Sequence, residues 1–264
     1  MTEDRQSKLL LLLLSQGQKS VHDIVVALNA SPATVRRDLS ELEQSGRIER
    51  LHGGARIATG SQKELAFSAR EDNQIAAKRA IANAASALIQ PNEAIFLDAG
   101  TTVLQLARHI KSNSVPINVF TNGLVIAQEL AHVAHVNVTL IGGRVRSENL
   151  SMVGPAAIAM LDSLWFDRLF LGASAIDLGG HITSLDADEA ATNAQMVARS
   201  ASLVVLADGT KFNTRITHAV TKLGEGNHLI SDAKPTGAFG AFIDAADVSF
   251  TQSGKPATLR VSHG

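Results

Sequence analysis

The sequence predicts two modules: a small α+β unit of short helices closed by a wing, then a larger α/β unit built on a parallel sheet. Three observations carry this. Up to about residue 58, apolar residues recur at helical spacing and end in a Gly-Gly turn. From about residue 74, apolar runs of strand length alternate with Ala-rich helical stretches. Between them Thr59-Gly60-Ser61-Gln62-Lys63-Glu64 is polar and contains a glycine, as linkers do. The expected division is 1–58, a linker over 59–73, and 74–264.

The first element is the leucine run Leu9–Leu14. A membrane span needs roughly 20 apolar residues, and this run is bounded by Lys8 and Ser15-Gln16. Nor is it a signal peptide, because Glu3 and Asp4 cancel Arg5 and Lys8. It reads as a buried helix in a cytoplasmic protein without a membrane partner. Val21, Ile24, Val25 and Leu28 then share one helix face. Ser31-Pro32 starts the next helix: the serine oxygen accepts an orphan N–H, and proline suits the first helical position. That helix turns Val35, Leu39 and Leu42 inward and Ala33, Arg37, Ser40 and Gln44 outward, with Thr34 and Arg36 on the flanks.

Two helices joined by a tight turn, with polar and basic residues opening the second, form a helix-turn-helix arrangement whose second helix suits a major groove. Arginine there can reach guanine O6 and N7, while Ser31 and Thr34 suit phosphates. Residues 47–56 read as two short strands around Gly53-Gly54, a wing offering Arg47, Arg50, His52 and Arg56. Charge alone does not reveal this surface. From Ser31 to Arg56, five arginines (36, 37, 47, 50, 56) face Asp38, Glu41, Glu43 and Glu49.

In the larger module, strands are expected at 94–98, 115–121, 136–141, 168–172, 203–208 and 228–231, with an edge strand near 248–251. Helices are expected at 74–89, 102–111, 123–132, 155–163 and 187–201. Continuous apolar runs such as Ile95-Phe96-Leu97 and Leu203-Val204-Val205-Leu206 fit a sheet covered on both faces. Strict alternation makes the sheet parallel, so all strand-end loops emerge at one edge, where open α/β folds bind ligands. There lie Asp98-Ala99-Gly100-Thr101-Thr102, Thr121-Asn122-Gly123, Gly142-Gly143-Arg144, Gly172-Ala173-Ser174 and Asp208-Gly209-Thr210-Lys211. A strand, then Gly-Thr-Thr, then a helix puts free N–H groups where an anion sits. Lys211 adds charge, and Asp98 or Asn122 takes sugar hydroxyls. The plainer reading is that Thr101 or Thr102 merely caps the helix.

Composition narrows the classes. The 264 residues carry 24 Lys plus Arg against 25 Asp plus Glu and are 45% hydrophobic, which excludes a disordered or supercharged binder. The lack of cysteine excludes disulfides and Cys-ligated zinc or iron–sulfur sites. Nine Phe, one Trp and no Tyr argue against a base-stacking platform for single-stranded nucleic acid. His132 and His135 have no evident third partner and read as solvated residues at a helix end. Neither metal nor cofactor is expected.

Ser31-Pro32-Ala33-Thr34-Val35-Arg36-Arg37-Asp38-Leu39, then Leu42-Glu43, Gly46 and Arg50-Leu51-His52-Gly53-Gly54-Ala55, resembles the signature of the DeoR family of bacterial transcription regulators. The resemblance implies a winged helix whose second helix reads an operator, with Arg36 and Arg37 at the family's paired-arginine positions. From about Ala77 to Asp232 the chain is similar to that family's effector domain, a ribose-5-phosphate isomerase-like fold. This implies a sugar phosphate at Gly100-Thr101-Thr102, with Asp98, Asn122, Gly143 and Lys211 nearby. Phe170-Leu171-Gly172, Ala175-Ile176-Asp177 and Asp188-Glu189-Ala190 with Asn193 resemble the branch of amino-sugar and galactosamine-pathway repressors, implying a hexose or amino-sugar phosphate. The family usually has Ser-Lys-Phe after the last core strand; here Gly209-Thr210 precedes Lys211-Phe212.

The expected function is a repressor of a sugar-catabolism operon, a homo-oligomer (dimer or tetramer) on double-stranded operator DNA, released by a phosphorylated sugar. The alternative is a sugar-phosphate isomerase or deaminase using Asp98, Asp186, Asp188 and Glu189. Such an enzyme has no use for residues 1–58.

Overall fold

The structure is a computed structural model describing residues 2–51, 53–58, 67–68 and 70–254. The described residues fall into two compact units, one holding those up to Ile75 together with Ser147–Asn149, the other those from Ala76 to Arg146 and from Leu150 onward.

The first unit begins with helix α1 (Thr2–Gln16), which buries Leu9, Leu10 and Leu13, as the leucine run implied. Strand β1 (Lys19–Ser20) leads into α2 (Val21–Leu28), where Ser20 and Asp23 cap each other reciprocally. Such a box satisfies two orphan donors. Asn29 ends α2 in the left-handed conformation. Ser31 caps α3 (Pro32–Gln44), and Val35, Leu39 and Leu42 are buried against Ile24 and the α1 leucines. Strands β2 (Ile48–Leu51) and β3 (Gly54–Ile57) form the wing.

The two-strand expectation for the wing is corrected in one respect. The tiny β1 joins β3 antiparallel, making a three-stranded sheet in the order β1-β3-β2. This needs a glycine at 54, since a Cβ there would lie 2.3 Å from the Lys19 carbonyl oxygen.

The second unit is a seven-stranded parallel sheet in the order β15-β14-β12-β9-β4-β5-β6. Its strands are β4 (Ala94–Leu97), β5 (Ile117–Thr121), β6 (Val136–Leu140), β9 (Arg168–Gly172), β12 (Leu203–Leu206), β14 (His228–Ser231) and β15 (Ser249–Gln252). Helices Ile75–Ser86, Thr101–Ser112, Leu124–Leu130, Pro155–Asp162 and Ala187–Ala198 connect them, close to expectation. A further helix, Gly237–Ala245, carries β14 over to β15. Phe96, Phe166, Phe170 and Phe239 are fully buried, and the Phe96 and Phe166 rings meet edge to face at 4.9 Å.

Strict alternation fails in two places. β7 (Arg144–Arg146) and β8 (Ser151–Val153) form an antiparallel hairpin. β10 (Ala175–Ile176), β11 (His181–Ser184) and β13 (His218–Lys222) form a second, antiparallel sheet. These strands are short and mix polar with apolar residues, so they lack the apolar run that marks a doubly covered strand. Among the described residues no helix is long and apolar enough to cross a membrane.

Candidate functional site

Two clusters of chemistry emerge, one in each unit. On α3, Ala33, Arg36 and Arg37 are exposed, while Thr34 and Ser40 are half-buried. The Ser31 hydroxyl accepts the Thr34 N–H at 3.2 Å and shares a 2.8 Å hydrogen bond with the Thr34 hydroxyl, so the two residues tie the first turn together. Arg37 Nε donates to Glu41 at 3.1 Å, and Arg56 pairs with Glu49 across the wing at 2.6 Å. Arg47 and Arg50 are exposed. His52 lies outside the described residues, as do most of the expected linker positions (59–66 and 69).

The inner face of α3 holds a residue that sequence periodicity did not single out. Asp38 is fully buried and receives a two-pronged bond from Arg5, Nε at 2.5 Å and Nη2 at 2.8 Å. The hydrogen bond to Asp38 raises the Arg5 pKa above its ordinary value.

In the second unit, parallel register brings the ends of β4, β5, β9 and β12 to one edge: Leu97 pairs with Thr121 and Phe170, and Leu206 with Gly172. Asp98 sits at its centre and is buried. Its carboxylate accepts the N–H of Gly172 at 3.1 Å and those of Ala99 and Gly100. Burial, and then the nearby Glu189 charge, push its pKa up to about 7.

That shift fixes a sign. Between about pH 4 and 7 the folded chain keeps this proton while the unfolded chain has lost it. Stability from this group therefore falls as pH rises through the window, by at most about 1.4 kcal/mol per pH unit, and is level above 7. Asp98→Asn is expected to remove the fall. Melting midpoints of both proteins from pH 5 to 8 check it, and a difference that does not vary with pH refutes it.

Beside Asp98, helix Thr101–Ser112 starts at Gly100 with no side-chain cap. The reading of Thr101 or Thr102 as a cap is thus overturned. At that helix start Thr101 is half-buried and Thr102 buried. In the next loop, the Thr121 hydroxyl donates to Leu97 O at 2.6 Å and accepts the Gly123 N–H at 3.0 Å. A Cβ on Gly123 would lie 3.0 Å from Ala99 Cα, so the two loops pack closely. Asn122 is buried, donates to Met152 O at 3.4 Å, and has no partner for Oδ1. A buried acceptor without a partner is costly and uncommon.

Glu189 accepts from the Ser184 hydroxyl and from Arg146 Nη1 at 3.1 Å. Arg146 also faces Asp186 at 3.5 Å. Asp186 caps helix Ala187–Ala198 through the Glu189 N–H, and that bond, with Arg146, holds its carboxyl below the usual range. Asn193, one turn beyond Glu189, has a second buried and unpartnered Oδ1.

Other expected positions fall at the rim. Gly142, Gly143 and Arg144 are exposed, and Arg144 pairs with Asp188. Thr210 is exposed and its hydroxyl donates to Asp208, so its proton is committed inward. Lys211 is half-buried in the one-turn helix Gly209–Lys211, beyond the end of β12. The sequence reasoning missed Arg146 and Ser184. Arg144 and Arg146 stand two apart on a strand, and so on one face, which was the available signal for Arg146. No His/Cys/Asp/Glu group fit for a metal occurs among the described residues.

Residues 5–61 match the family model described as the DeoR-like helix-turn-helix domain, and residues 73–233 the DeoR C terminal sensor domain. The chain is 33% identical to a putative aga operon transcriptional repressor of Escherichia coli O157:H7, over 83% of this chain and 82% of that protein. It is 34% identical to the HTH-type transcriptional regulator GlpR of Haloferax volcanii, over 87% and 89%. A lactose phosphotransferase system repressor of Staphylococcus aureus is 35% identical over 87% and 91%. Among solved structures, ribose 5 phosphate isomerase A from Neisseria gonorrhoeae overlaps 52% of this chain and 53% of its own, with 16% identity and a TM-score of 0.40.

Proposed function

The chain belongs to the DeoR family of transcriptional regulators, and from that premise we propose that it represses a sugar-catabolism operon and leaves its operator when a phosphorylated sugar binds. The relatives are named as regulators and repressors, so the isomerase or deaminase reading is set aside.

Helix α3 enters the major groove, with Arg36 and Arg37 at base edges and Ser31, Ala33, Thr34 and Ser40 along the contact. Arg47, Arg50, His52 and Arg56 serve the backbone or minor groove. The protein works in the cytoplasm as a homo-oligomer, dimer or tetramer, meeting half-sites one helical turn or a multiple apart. The effector is a hexose or amino-sugar phosphate. Its phosphate lies at Gly100-Thr101-Thr102, with Lys211 supplying charge. Its hydroxyls meet Asp98, Asn122 and Glu189, with Thr121, Gly123, Gly142, Gly143 and Arg144 shaping the rest of the site.

The uncapped start of helix Thr101–Ser112 beside buried Asp98 carries this reading, because peptide N–H groups at a helix start favour an anion. Coupling is reciprocal: if the sugar phosphate weakens operator binding, operator weakens sugar-phosphate binding by the same factor. A thermal-shift screen of sugar phosphates against the free sugars tests it. At 100 times its Kd, a ligand stabilises by about 2.7 kcal/mol. The expected result is a raised midpoint with a phosphorylated hexose or amino sugar and none with its free sugar. A screen in which free sugars act as well as their phosphates removes the anion site.

A further inference from the structure

In the first unit, helix α1 reaches α3 through two consecutive polar side chains. Arg5 binds buried Asp38, and Gln6 Nε2 donates to Glu41 Oε2 at 2.7 Å. The other Glu41 oxygen, Oε1, accepts from Arg37 Nε at 3.1 Å. Arg37 is itself far out in solvent, its side chain 82% exposed, against 42% for Glu41. An exposed pair of this kind ordinarily contributes little, because two long side chains must be ordered to make it. Here one of the two is already held. Gln6 anchors Glu41 from a separate helix, and Arg5 anchors α3 itself one turn before it.

We infer that Gln6 and Glu41 are positioning residues for operator reading: acting through Arg37, they hold its guanidinium extended before any base is met. This rests on the assignment of Arg37 to a base edge. A bidentate contact to guanine is planar and demanding in angle, so a pre-set guanidinium loses less freedom on binding. Glu41 adds a second effect. Its negative charge at the groove-facing helix opposes sequence-independent attraction to phosphates, which arises from charge alone. Order and repulsion together widen the gap between the right sequence and any other.

The test uses the full chain. Its operator is first obtained by selection from a pool of random duplexes, and affinities for that duplex are then measured by fluorescence anisotropy. Gln6→Ala is expected to weaken operator binding about fivefold, the size of one net hydrogen bond, and to leave binding to a random duplex unchanged. In an Arg37→Ala background the same substitution is expected to do nothing further. Glu41→Gln is expected to tighten random-duplex binding while operator binding falls.

A Gln6 effect that persists in full without Arg37 shows a general structural role and overturns the inference. So does a Gln6→Ala protein with unaltered operator affinity. A selection that enriches no sequence overturns the operator reading itself, and this inference with it. Matching melting midpoints for Gln6→Ala and the parent exclude partial unfolding as the source of a loss; a lowered midpoint that accounts for the loss counts against the inference.

Discussion

Arg37→Ala is expected to cost about 1–3 kcal/mol of operator affinity and to relax the preference at a single base pair. Arg37 projects into solvent and bonds to Glu41 on its own helix. Nothing in the core depends on it, so the melting midpoint is expected to hold. The salt dependence separates base reading from backbone binding. A residue that merely neutralises a phosphate lowers affinity for all sequences and takes about one unit from the salt slope, whereas a base-reading residue acts on one position. Binding to every single-base variant of the selected operator decides between them, and an Arg37→Ala protein with the parent's base preferences refutes the assignment.

The second large effect concerns release. Thr101→Val is expected to leave operator affinity intact and to weaken the effector by about 1.5–3 kcal/mol, the range for a hydrogen bond to a charged group. The change preserves shape and replaces a hydroxyl by a methyl at the first residue of helix Thr101–Ser112. Because Thr101 is half-buried and Gly100 leaves the helix start uncapped, the loss falls on the anion rather than on the fold. Operator release titrated with the sugar phosphate found by the screen reads it directly. Unaltered release by Thr101→Val would place the phosphate elsewhere.

Much of the architecture was legible from pattern. The strands at 168–172 and 228–231 fall where the apolar runs lie, and Ser31-Pro32 starts α3 as its chemistry requires. These features are local. What escaped was made by contacts between distant residues. β10, β11 and β13 become strands by pairing across the chain, His181 with Lys222, Ser184 with His218 and Ile176 with Ile182. Gly237–Ala245 is rich in Ala, Gly and Phe and shows no clean face until Phe239 and Ile243 are buried.

The site divides the same way. Asp98 and Gly100-Thr101-Thr102 announce themselves as a polar cluster after a strand. Glu189 facing Asp98 depends on a helix that begins almost ninety residues later, and Arg146 on a hairpin that no periodicity marks. Buried Asp38 escaped for a related reason: a helix-wheel argument takes an acidic residue as solvated, and only its Arg5 partner, 33 residues away, reverses that.

The order of strands also bears on how the chain is made. Helices α1 to α3 and strands β1 to β3 all lie within residues 2–57, so the contacts among them close over short spans of chain. β4 is different, since one of its two neighbours is β9, and the Gly172 amide that holds Asp98 comes 74 residues after it. At synthesis rates of about 5–20 residues per second, the wait is roughly 4–15 seconds. During vectorial synthesis, the helix-turn-helix and its wing can therefore be folded while the sensor still lacks one wall. On the proposed function, a nascent chain passes through an interval in which its reading helix is folded and its release signal has no finished pocket to enter.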